Sequence, residues 1–158
     1  MKRAGGRLVI DSNIDNSGLL WANGANITIH GSVTGEGTAL LDGVATIEFG
    51  AAASTNVTLA AEATGTIVLH DSFDFSGLLL GFNGDDHLDL LDVAFGAGTA
   101  ASYVANEDGT GGTLSVTDGT VGAQTVKIAP LGQYSGDGFT MASDDTGGTL
   151  LSYRDHLI

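Results

Sequence analysis

The feature that most constrains this chain is a repeat. Apolar centres at Ile10, Ile29, Ile47, Ile67 and Leu88 recur every 18 to 21 residues, and a second series, Leu20, Leu41, Leu59 and Leu79, advances with them. Two series moving together at roughly 20 residues mark a stacked coil. In a β-solenoid each coil is one rung, rungs lie about 4.8 Å apart, and like side chains stand above one another inside. The turns between flat faces need positive φ. Gly18, Gly24, Gly35, Gly43, Gly65 and Gly77, with Asn16 and Asn26, fall where such turns are wanted. An antiparallel sandwich or meander also spaces its strands by about 8–12 residues. The single proline and the return of one residue type at the repeat period favour the solenoid over Arg7 to Phe95.

The apolar segments are short and often interrupted by Gly, Asn and Asp, which suits strands. One stretch competes: Leu88, Leu91 and Phe95 would line a helix face between Asp85 and Phe95. The alternation His87-Leu88-Asp89-Leu90 reads instead as a strand, and a strand is the expectation. The last third differs. The segment from Tyr103 to Leu114 recurs as Phe139 to Leu150, with Thr-Gly-Gly-Thr-Leu matching in full. Each copy reads as a β-hairpin around an acidic, Gly-rich turn. The expected fold is therefore all-β: a parallel β-solenoid (β-helix) of about four to five rungs over residues 7–95, with an antiparallel, hairpin-rich β cap over residues 96–158. A last rung exposes unpaired N–H and C=O groups and an open core, so something must cover it. No comparable unit precedes Arg7, which leaves that end open to further rungs or to self-association with a second subunit.

Charge narrows the partners. The chain has 158 residues, 19 acids against 5 Lys plus Arg, and a formal net charge of −14. No Lys or Arg lies between Leu8 and Val126, where most of the acids are. Such a chain holds neither nucleic acid nor anionic membrane by charge. It has no cysteine, so thiolate chemistry and disulfides are excluded. The start, Met1 to Arg7, is basic, but Leu8-Val9-Ile10 is broken at Asp11, too soon for the apolar region of an N-terminal signal peptide.

Four segments carry a resemblance. Gly65-Thr66-Ile67-Val68-Leu69, then Phe75-Ser76-Gly77, the run from Gly81 to Leu90, and the run from Gly112 to Gly119 continuing to Leu131-Gly132-Gln133-Tyr134-Ser135 are similar to β-strand repeats of large bacterial surface and secreted proteins. These are adhesin-like chains, akin to autotransporter passengers and to repeats-in-toxin (RTX) proteins. The tail Asp155-His156-Leu157-Ile158, an acid followed by apolar residues, resembles the end of type I secretion substrates. The resemblance implies an extracellular or cell-surface location and a non-catalytic structural or adhesive role, with a glycan or another cell-surface molecule as partner.

Gly81-Phe82-Asn83-Gly84-Asp85-Asp86-His87-Leu88-Asp89 resembles a degenerate RTX nonapeptide, in which turn carbonyls and the sixth-position Asp hold calcium. Gly81, Gly84, Asp86 and Asp89 are the candidate calcium residues on that basis. Phe82 replaces the second glycine and no second copy follows, so one copy offers half a site. His70 with Asp71 and Asp74 invites an acid–base reading, and Asp11 with Asp15 or Asp89 with Asp92 a paired-carboxylate one. No nucleophile or oxyanion donor accompanies them, and no catalytic residue is assigned. The alternative function is a carbohydrate-binding or carbohydrate-active β-helix module for neutral glycans, because acidic sugars call for Arg or Lys and the expected solenoid has none from residue 8 onward. Trp21 reads as core or edge packing. Thr28, Thr46, Thr58 and Thr66 read as scattered rather than ranked.

Overall fold

The structure, a computed structural model, describes residues 6–118, 124–132, 134 and 138–154. The tail from Asp155 and all but the end of the basic start lie outside them. The chain winds into a three-sided parallel β-solenoid. The first turn is β1 (Arg7–Ile10), β2 (Ile14–Asp15) and β3 (Leu19–Asn23). The second is β4 (Asn26–Ile29), β5 (Val33–Thr34) and β6 (Thr38–Asp42). The third is β7 (Val44–Phe49), a bridge at Ala53 and β8 (Asn56–Leu59). The fourth is β9 (Thr64–Leu69), a 3-10 turn at Ser72–Asp74 leading to a bridge at Phe75, and β10 (Leu78–Leu80). A further strand, β11 (His87–Leu90), opens a fifth turn that is not completed. The Asp85–Phe95 stretch thus contains the expected strand, and no α-helix occurs among the described residues.

The registers show how the core is built. Ile27, Ile47, Ile67 and Leu88 stand above one another on the first side, and so do Ile10, Ile29, Phe49, Leu69 and Leu90. The apolar series read from the sequence merges these two ladders, stepping from Ile29 to Ile47 where the structure places Phe49. The third-side series merges two ladders in the same way: Leu20 stacks on Ala39, Val57 and Leu79, while Leu41 stacks on Leu59. The cause is the two-residue pleat, which gives each strand two inward positions at the same repeat spacing. The short middle side, Ile14, Val33, Ala53 and Phe75, completes the core. Its four different residue types and two-residue strands hide it from a periodicity search.

Corners interrupt the backbone ladder, and side chains one rung away fill the gaps. The N–H of Ser32 donates to Asn13 Oδ1, that of Leu78 to Asn56 Oδ1, and that of Ser72 to Asp92 Oδ2, at 2.8–2.9 Å. The Ser72 and Leu78 bridges are partly buried, where an unmade backbone bond is costly, whereas the Ser32 bridge is exposed.

The C-terminal third extends both long sheets. On the third side β14 (Thr125–Leu131) adds in parallel to β10, followed by antiparallel β13 (Gly112–Thr117) and β12 (Ala100–Ala105). On the first side β16 (Thr149–Tyr153) pairs antiparallel with β11, and β15 (Phe139–Ser143) with β16. The two sequence copies are therefore two hairpins, one on each sheet. They meet across the end of the stack: Tyr103 and Phe139, equivalent positions of the repeat, pack with ring centroids 5.5 Å apart. Tyr134 and Tyr153 complete the aromatic plug.

Candidate functional site

The nonapeptide-like loop lies at the junction of stack and cap. Gly81 follows β10 with φ +80°, and a Cβ there would meet the carbonyl oxygen of Leu59 on the rung below, so only glycine fits. Asp86 is fully buried. Its Oδ1 accepts the N–H of Gly65 and its Oδ2 the N–H of Asn83, both at 2.9 Å. Burial pushes its carboxyl up, and the two N–H bonds hold it back. Asp86 thus closes the loop and ties it to the previous rung. Asp89, three residues on, lies on the opposite face of the strand. The structure does not bring Asp86 and Asp89 to one point, and among the described residues no three His, Asp or Glu side chains converge as metal ligands.

Asp89 instead faces Asp144, in the turn between β15 and β16. Burial, then the hydrogen bond and charge of Asp144, raise the Asp89 carboxyl to about 7, with Glu48 adding to the shift and His70 opposing it. Burial also acts to raise Asp144, but N–H bonds from Thr146 (2.7 Å) and Gly148 (2.8 Å) to its Oδ1 hold it below its ordinary value. Asp89 Oδ1 and Asp144 Oδ2 are buried and meet no donor among the described residues. The two carboxyls face each other where the cap hairpin docks on β11, so a proton held between them would join the two. Asp108, the repeat equivalent of Asp144, holds Thr110 in the same way but is fully exposed and faces no acid. Sequence comparison of the two copies cannot tell them apart.

The remaining sequence candidates separate. His70 Nε2 pairs with Glu48 Oε2 of the preceding rung (2.5 Å), and not with Asp71 or Asp74. His30 pairs likewise with Asp11 (2.5 Å). Asp71 is raised by burial and by its neighbours Asp74 and Asp92. Asp92 binds the N–H and hydroxyl of Ser72, far from any partnership with Asp89. Trp21 points outward in a row with Leu40, Thr58, Leu80 and Leu131, its Nε1 buried without a partner. Thr46 and Thr66, expected as scattered, do stack on adjacent rungs. A rank of two ends there, with Asn26 and His87 on either side.

Two depressions flank the loop. The larger, about 410 Å³, runs from Leu59 and Gly81–Gly84 to Leu131, Tyr134 and Tyr153. No charged side chain lines it. Tyr134 is anchored in its wall by donating its hydroxyl to the carbonyl of Phe82 (2.6 Å), and burial raises that phenol to about 12. The smaller, about 330 Å³, is walled by Gly84, His87, Thr140, Ser152, Tyr153 and Arg154. Sequence reasoning missed both, because each joins a solenoid loop to cap residues some 50 or more positions away. A scan of protein-family models finds no match to the chain, and a search of curated proteins finds none either.

Proposed function

We propose that this chain is a non-catalytic structural segment of an exported bacterial repeat protein, serving as a stiff adhesive spacer at the cell surface. One observation carries the reading: apolar ladders run unbroken through four turns, and the C-terminal hairpins cover one end of the stack. A stack in which every strand bonds to the next along the axis resists bending and gives a rod whose length scales with rung number. The acidic exterior supports solubility outside the cell. Protease shaving of intact producing cells tests the location: cleavage of this segment is expected, and its retention inside the cell wall overturns the reading.

A second reading is a binding module for neutral glycans. The 410 Å³ depression favours it, being uncharged and walled by Tyr134 and Tyr153. Sugar rings offer apolar faces to aromatic side chains and hydroxyls to backbone groups. A glycan array with the intact chain tests it: binding of neutral sugars that falls in Tyr134→Ala is expected, and an array without signal removes this reading.

A further inference from the structure

The expectation of a neutral ligand rested on the lack of Arg and Lys in the rungs beyond Arg7. The tertiary structure changes that premise. Strand β16 pairs with β11 so that Ser152 stands opposite His87, and Thr140 stands opposite Ser152. Arg154 follows β16 directly, its N–H donated to the carbonyl of Gly138 (2.8 Å). The cap thereby brings an arginine to the His87 end of the solenoid face. Arg154 and His87 line the 330 Å³ depression together with two hydroxyl-bearing residues, Thr140 and Ser152. Although acids outnumber Lys plus Arg by 19 to 5, neither Arg154 nor His87 forms an ion pair with a described residue. The nearest acids in the loop are Asp85, which faces solvent, and Asp86, whose two oxygens are occupied by N–H groups.

This cationic depression adjoins the neutral one. Gly84 and Tyr153 line both, so the two share a wall. We propose that together they form a bipartite site for an acidic oligosaccharide: a neutral sugar beside Tyr134, and the carboxylate of an adjoining uronic acid against Arg154 and His87. A guanidinium matches a carboxylate through two parallel N–H bonds, and hydroxyl side chains beside it suit the sugar's own hydroxyls. The inference rests on the glycan reading and sharpens it from neutral to acidic ligands.

The test uses the full chain and matched pairs of oligosaccharides, each acidic member differing from its neutral partner only by a uronic-acid carboxylate, with N-acetylaspartate as a carboxylate lacking a sugar. Binding is followed by ligand-observed NMR and calorimetry. The acidic members are expected to bind about tenfold tighter than their partners, and Arg154→Gln to abolish that difference while neutral binding and the melting temperature persist. Equal binding of both members overturns the acidic site and leaves the glycan reading standing. Absence of binding by either removes both. N-acetylaspartate binding as tightly as the acidic sugars overturns the bipartite site in favour of a bare carboxylate pocket.

Discussion

Two aspartates three residues apart show how far local environment decides a side chain's role. Asp86 turns inward and receives two N–H groups, so its removal leaves both without partners. Asp86→Ala is expected to cost about 1–3 kcal/mol and to lower the melting temperature equally in millimolar calcium and in chelator. A calcium-dependent rise in the wild-type melting temperature, lost in the variant, would instead make Asp86 an ion ligand. Asp89 turns outward and faces Asp144, whose charge and hydrogen bonding, after burial, raise its carboxyl. Its folded carboxyl titrates at about 7, above the ordinary 3.8 of an unfolded aspartate. Between those values the folded chain binds one more proton than the unfolded chain, so this stabilisation is complete below pH ~4 and lost as pH rises through ~7. Asp89→Asn keeps a donor facing Asp144 at every pH. It is expected to flatten the decline in melting temperature between pH ~5 and ~8, with His70 and Glu48 unchanged. An unaltered profile would show that the pair carries no shared proton.

At the scale of the strand, position within the pleat decides consequence. Ile47 is fully buried between Ile27 and Ile67, whereas Thr46, its neighbour, points outward between Asn26 and Thr66. Ile47→Ala is expected to cost about 2–5 kcal/mol and Thr46→Ala less than about 0.5 kcal/mol, both read from denaturant unfolding. Comparable losses at the two positions would mean that the inner ladder is not what holds the rungs. The repeat and the strands were legible because Ile, Leu and Val recur at the rung spacing. The register was not, because a strand offers two inward positions and the sequence spacing of 18 to 21 residues is compatible with either. Ile47 could be placed on the inner face, but its partner Ile27 could not be distinguished from Ile29.

The whole molecule has two unlike ends. The cap covers the β10 and β11 end with its aromatic plug. At the other, β1 and β3 are the outermost described strands of the two long sheets. Leu8, Val9 and Leu19 there are 37, 41 and 55% exposed. Unpaired strand edges with apolar side chains recruit further strands. The chain as given is expected to show a mass that grows with concentration in light scattering, and Val9→Lys to suppress that growth. A constant monomer mass across the range would show that this edge is not sticky.

The sequence alone determined that the chain would be all-β, that its turns would stack in parallel, and that two related hairpins would end it. Those outcomes follow from local alternation, turn residues and repeat spacing, all of which act over a few tens of residues. Only the tertiary structure decided the short middle side, the exact ladders' partners, the approach of Asp144 to Asp89 and the placing of Arg154 and His87 on one depression. Each of these joins positions whose proximity depends on how many residues every corner consumes and on which strand of the cap docks against β11. That is a sum of many small packing and hydrogen-bond preferences, and no short stretch of sequence carries it.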